Sequence, residues 1–132
     1  MRYFLISIIL VNILFASSIN WSNNYHLARQ QAKKEKKKVF LFISSHNNPF
    51  TEYMEIDMFE NKKVIEAINK NYIAVKLYTQ DNNFPKGLIF YSAPAIYFLD
   101  AKGKFFETRY KKIVGEITKN QMLKILKNIK NL

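Results

Sequence analysis

The run Lys38-Val39-Phe40-Leu41-Phe42-Ile43-Ser44-Ser45-His46-Asn47-Asn48-Pro49-Phe50-Thr51 decides how this chain folds. Val39 to Ile43 are consecutive apolar residues, rich in aromatic and β-branched types and set between polar flanks. That is the pattern of a strand buried on both faces. A sheet covered on both faces needs helices above and below it, so the run predicts an α/β layered fold. Asn48-Pro49 then predicts a helix start, because Asn is a preferred cap and Pro is tolerated at the first helical position. Phe50, Tyr53, Met54 and Met58 are expected to continue that helix along one face.

Upstream, Ser22 is the expected cap of a helix carrying Tyr25, Ala28 and Ala32 at helical spacing, closed by the dense run Lys33, Lys34, Lys36, Lys37 and Lys38. Downstream, Val64, Ile65 and Ile68 predict a second helical stretch, and Tyr72 to Leu77 another strand. Asp81, Asn82, Asn83, Pro85 and Gly87 mark a loop within 79–92, with a short helical turn expected at Leu88 to Tyr91. Ala95 to Leu99 reads as a third strand, Asp100 to Gly103 as a turn and Lys104 to Tyr110 as a fourth strand pairing back in a hairpin. Met122, Ile125, Leu126 and Ile129 form one apolar stripe, so the chain is expected to end in an amphipathic helix. Strands separated by helices pair in parallel through right-handed crossovers, and the hairpin adds an antiparallel edge. A mixed four-stranded sheet follows.

At 132 residues and 48% hydrophobic content, the chain can bury one ordinary core. Its N-terminus reads as a secretory leader: Met1 and Arg2 are followed by an apolar run from Tyr3 to Phe15, broken by Asn12, and then by the small residues Ala16, Ser17 and Ser18. Residues 1–18 are therefore expected to be a signal peptide and 19–132 a single mature domain, periplasmic or secreted. The alternative is an uncleaved anchor, with Trp21 close behind, but the run falls short of the about 20 residues of a spanning helix.

The cysteine count is 0, so every function that needs a thiolate is excluded. The formal charge is +11, from 21 Lys and Arg against 10 Asp and Glu. Such a surface attracts anions, and in an exported protein the expected partners are lipid head groups, envelope polyanions or an acidic protein; nucleic acid is not expected. The competing reading is a solvated lysine face that suits a helix C-terminus.

In this order and spacing the chain resembles the exported thioredoxin-like domains of the thiol-disulfide exchange superfamily. Trp21, Tyr25, Ala28, Ala32 and the entry Lys36 to Val39 carry the resemblance at the start. It continues through Phe42 to Ser45, Met54 to Phe59, Val64 to Tyr72 and the stretch Ala93-Pro94-Ala95-Ile96-Tyr97-Phe98-Leu99-Asp100 with Gly103. The resemblance implies a thioredoxin-like three-layer sandwich, a central mixed four-stranded sheet flanked by helices, with an extra N-terminal helix. It also implies a Cys-x-x-Cys motif where this chain has Asn48-Pro49-Phe50-Thr51, so both cysteines are replaced. Pro94 matches the family's proline, normally preceded by a cis peptide bond and facing the motif; Ala93 stands where the family often has Thr or Val. The resemblance thus points to a redox-inactive protein that binds a protein or peptide client of the cell envelope through His46, Asn48, Pro49, Phe50, Thr51, Ala93 and Pro94. The plainer reading is that Asn48 caps a helix and Pro94 shapes a loop.

Other chemistry finds little support. His46 with Ser44, Ser45 and Thr51 suggests a hydroxyl-imidazole nucleophile, and a non-redox enzyme built on it is the alternative function, yet no orienting acid is evident beyond Glu52 and Glu55. No catalytic residue is assigned. His26 and His46 fall on separate elements, so no metal site is expected, and the isolated Gly87, Gly103 and Gly115 form no phosphate loop. No cofactor is expected, and the oligomeric state is open.

Overall fold

A computed structural model describes residues 18–81, 83–88, 93–104 and 118–132. In chain order the elements are α1 (Tyr25–Glu35), β1 (Lys38–Ser44), α2 (Pro49–Tyr53) running into a π-helical turn (Met54–Met58), α3 (Lys62–Asn71), β2 (Tyr72–Tyr78), β3 (Ala95–Leu99) and α4 (Lys119–Lys130). The described sheet has the order β2-β1-β3. β1 pairs with β2 in parallel, from Lys38 opposite Tyr72 to Ser44 opposite Tyr78. It pairs with β3 antiparallel, Val39 opposite Leu99 and Ile43 opposite Ala95.

The unbroken apolar run of β1 has a direct cause: its side chains alternate between two cores. Phe40 and Phe42 point to one face with Phe98 and Ile96, where Met54, Met58, Val64, Ile68, Met122 and Leu126 from the helices close over them. Val39, Leu41 and Ile43 point to the other face, where Tyr25, Ala28 and Ala32 of α1 cover them. Both layers were legible in the spacing. β1 lies in the middle, between β2 and β3.

Two expectations need correction. Ser22 does not cap α1; Asn24 does, its side chain accepting from the Leu27 N–H at 3.0 Å. Ser22 is instead taken by the outer edge of β2, where its N–H donates to the Ala74 carbonyl and its carbonyl accepts from the Lys76 N–H, both at 2.9 Å. Nor do Phe50, Tyr53, Met54 and Met58 share one face. Met54 and Met58 are buried, whereas Phe50 and Tyr53 are exposed. Phe50 lies on the first turn, ahead of the apolar cluster that begins with Met54. The helix also widens there, the Phe59 N–H bonding the Met54 carbonyl at 2.9 Å in the π manner.

After β3 the turn forms as expected, the Asp100 carboxylate accepting from the N–H groups of Lys102 and Lys104, both at 2.9 Å. Gly103 is required there twice over: its φ is +86°, and a Cβ would stand 3.0 Å from the Tyr25 hydroxyl. The leader (1–17), the turn expected at Leu88 to Tyr91 beyond its first residue, and the fourth strand after Lys104 lie outside the described residues.

Topology also sorts charge. β1 and β2 start at one pole of the sheet, and β3 ends there. α1 and α3, which feed β1 and β2, finish at the same pole, each with lysine in its last turn: Lys33 and Lys34, then Lys70. α4 finishes there too, with Lys127 and Lys130, and the Lys38 ammonium donates to the Lys130 carbonyl at 3.0 Å. Lys36, Lys37 and Lys38 join α1 to β1, and Lys102 and Lys104 follow β3. Each helix favours cations at its C-terminus, and a parallel layout brings those termini together. At the opposite pole the chain from Ser44 to Asn61 holds no Lys or Arg, while α2 and the turns after it carry Glu52, Glu55, Asp57 and Glu60.

Candidate functional site

The candidate site lies where β1 gives way to α2, at the pole opposite the lysine-rich helix ends. Asn48 is extended, with φ −106° and ψ 114°, and its carboxamide Oδ1 accepts from the Phe50 N–H at 2.9 Å as the helix cap. The same side chain donates its Nδ2 to the Ala93 carbonyl at 3.2 Å. The Ala93–Pro94 peptide is cis. One amide therefore ties the helix start to the proline loop, although 45 positions separate the two in sequence.

Thr51 is only 2% exposed, and its hydroxyl lies 2.8 Å from the Asn48 carbonyl and 3.1 Å from the Ser45 carbonyl. A hydroxyl has one proton to give, so these carbonyls absorb it. Ser45 in turn meets the Thr79 hydroxyl at 3.4 Å. Asn48, Thr51, Ser45 and Ala93 are thus knitted together by hydrogen bonds, with Pro94 buried behind them and Pro49 exposed on the rim.

His46 stands apart from that network. It is exposed, and its ring stacks on Tyr78 with centroids 4.0 Å apart and planes at 7°. The Lys76 ammonium lies 5.4 Å from the centre of the Tyr78 ring and pairs with the Glu55 carboxylate. Burial pulls the Lys76 pKa down, but the Glu55 carboxylate and Tyr78 outweigh it and hold the ammonium above its ordinary range. Glu55 is therefore committed to Lys76, and the Thr51 hydroxyl faces carbonyls. The groups that a hydroxyl-imidazole mechanism would join point to different partners. Among the described residues no three His, Asp or Glu side chains gather as a metal-binding group.

Phe50, the expected aromatic flank of the site, is 61% exposed. Tyr53, expected on the same helix face, and Ile56, which the spacing did not point to, are 48% and 65% exposed and extend the apolar surface along α2 and the π turn. The Tyr53 hydroxyl bonds the Asp57 carboxylate, which raises its pKa. A signal was present, since residues 39–61 hold no Lys or Arg in this basic chain. The pattern alone could not say that Phe50 would stay outside while Met54 went in.

The sequence matches the thioredoxin-like domain family over residues 25–130. Among solved structures, the fold is similar to a DsbH oxidoreductase at TM-score 0.65 and 17% identity, covering 91% of this chain and 90% of that one. It is also similar to a thioredoxin from Thermus thermophilus at TM-score 0.70 and 16% identity, covering 85% and 87%. No curated protein matches the sequence. At such identities the likeness is one of fold.

Proposed function

The chain belongs to the thioredoxin-like domain family, and we propose that it works as a redox-inactive holder of a protein or peptide partner in the bacterial cell envelope. Thiol-disulfide exchange needs a thiolate to attack and a second thiol to resolve the mixed disulfide, and this chain has 0 cysteines. Asn48 and Thr51 replace those groups with an amide and a hydroxyl, both engaged in holding backbone. Binding is the function such a site retains.

The observation that carries the reading is the exposed apolar row of Phe50, Tyr53 and Ile56 beginning at the Asn48–Pro94 junction. Large apolar side chains grouped at a surface and rimmed by polar ones mark interaction sites. Here the rim is acidic: Glu52 and Glu60 are exposed, whereas Glu55 pairs with Lys76 and Asp57 lies 3.7 Å from Lys119. An apolar segment carrying basic residues suits that rim. Placement in the envelope rests on the leader pattern of Arg2, the apolar run and the small residues Ala16 to Ser18.

The test is capture of partners from envelope extract by the full chain, beside a Phe50→Ala/Ile56→Ala variant. Both side chains are exposed, so stability should change by less than about 0.5 kcal/mol. Burying a Phe contributes about 1.5–3 kcal/mol, so the bound partner should fall by tenfold or more in the variant. Equal yields from the two chains would remove this surface from consideration.

A further inference from the structure

We propose that the lysine pole docks the protein onto the anionic head groups of a phospholipid bilayer, with the Asn48–Pro94 face turned away from the lipid. Charge marks this pole. Ten lysines gather there, Lys33, Lys34, Lys36, Lys37, Lys38 and Lys70 with the pairs after β3 and in the last turn of α4, against the acidic side chains Glu35 and Asp100. Asp100 is occupied by the N–H groups of its own turn, and Glu35 lies 3.6 Å from Lys37.

The start of the described chain is held at the same pole. Ser22 pairs in parallel with Val75, so residues 18–22 run alongside β2 and begin level with its first residues. Asn69, in the last turn of α3, clamps that start: its Nδ2 donates to the Ser18 carbonyl at 2.9 Å and its Oδ1 accepts from the Asn20 N–H at 3.0 Å. The Lys37 ammonium reaches the carbonyl of the same Asn69 at 3.4 Å. Ile19 is buried in the core.

The lysines come from four stretches of the chain and spread over a whole end of the molecule. A broad array of cations fits a plane of head groups better than one phosphate in a pocket. The acidic rim does not cancel this field. β1 spans seven residues, roughly 23 Å, well beyond the screening length of about 8 Å in physiological salt. The two poles therefore act separately, and the field orients the molecule.

Full-length protein is tested for sedimentation with phosphatidylcholine vesicles, alone or containing phosphatidylglycerol. The expected result is binding at least tenfold tighter to the anionic vesicles in low salt, a preference that shrinks as salt rises. A Lys33→Gln/Lys34→Gln/Lys70→Gln/Lys127→Gln variant should lose at least tenfold of it, at roughly fivefold per lysine in contact. Gln keeps helix propensity, so the variant should fold. A control with equal charge change, Lys62→Gln/Lys63→Gln/Lys86→Gln/Lys119→Gln, should keep the preference. Absence of any preference for anionic vesicles, or equal losses in the two variants, would overturn the proposal. Release from vesicles by inorganic phosphate at constant ionic strength would assign the pole to free phosphate and overturn it as well.

Discussion

Asn48 joins two backbone segments with one side chain. Its oxygen caps α2 and its nitrogen holds the Ala93 carbonyl, so the two functions can be separated by substitution. Asn48→Ala removes both and should cost about 2 kcal/mol in denaturant unfolding, from a cap of about 1 and a hydrogen bond of about 1. Asn48→Asp keeps the capping oxygen but turns the donor into an acceptor facing a carbonyl. It should therefore lose only the second part, or slightly more through repulsion. Equal stability of Asn48→Asp and the parent would mean that the link to Ala93 carries no energy. The capping half of this role was legible in the dipeptide Asn48-Pro49, because caps act within four residues. The link to Ala93 was not, since no local pattern couples positions 45 apart.

At the scale of elements, β2 and α4 are joined by the Tyr72 hydroxyl, which donates to the Leu126 carbonyl. Burial raises the Tyr72 pKa well above the ordinary phenol range, against a smaller opposing effect from the Lys130 backbone. Tyr25 and Tyr97 are also raised, first by burial. A group whose pKa is higher in the folded chain stabilises it fully below the unfolded value and loses that contribution as pH rises. For these tyrosines, and for Lys76, the window opens near pH 10 and extends upward. Thermal unfolding should thus be insensitive to these groups at neutral pH and fall progressively above about pH 10. Tyr72→Phe should cost about 1 kcal/mol at neutral pH and flatten the alkaline decline. An unchanged alkaline slope in that variant would show that Tyr72 does not titrate with unfolding. The elements themselves followed from spacing: the Val39–Ile43 run, the Val64-Ile65-Ile68 stripe and the Met122-Ile125-Leu126-Ile129 stripe all became core. Ser22 misled because an exposed strand edge competes for its backbone more strongly than a helix start does for its hydroxyl.

For the molecule as a whole, the sheet and its covering helices hold the site without any cysteine. That scaffold can be tested by returning what the family motif has. An Asn48→Cys/Thr51→Cys chain places two thiols three residues apart at a helix start, where Cα separations fall within the disulfide range. It should form an intramolecular disulfide that reductant opens, detected by thiol alkylation and mass. A variant that folds yet keeps both thiols free under oxidising conditions would show that the helix start has departed from disulfide geometry.

By itself the sequence determined the order of helices and strands, the two-faced burial of the central strand and the absence of thiol chemistry, because each depends on local periodicity or on residue type alone. The tertiary structure alone decided that Asn48 reaches Ala93, that Phe50, Tyr53 and Ile56 remain outside, and that lysines scattered over the chain meet at one pole. Those outcomes depend on which segments are brought side by side when strands pair in parallel, and no short stretch of sequence contains that information.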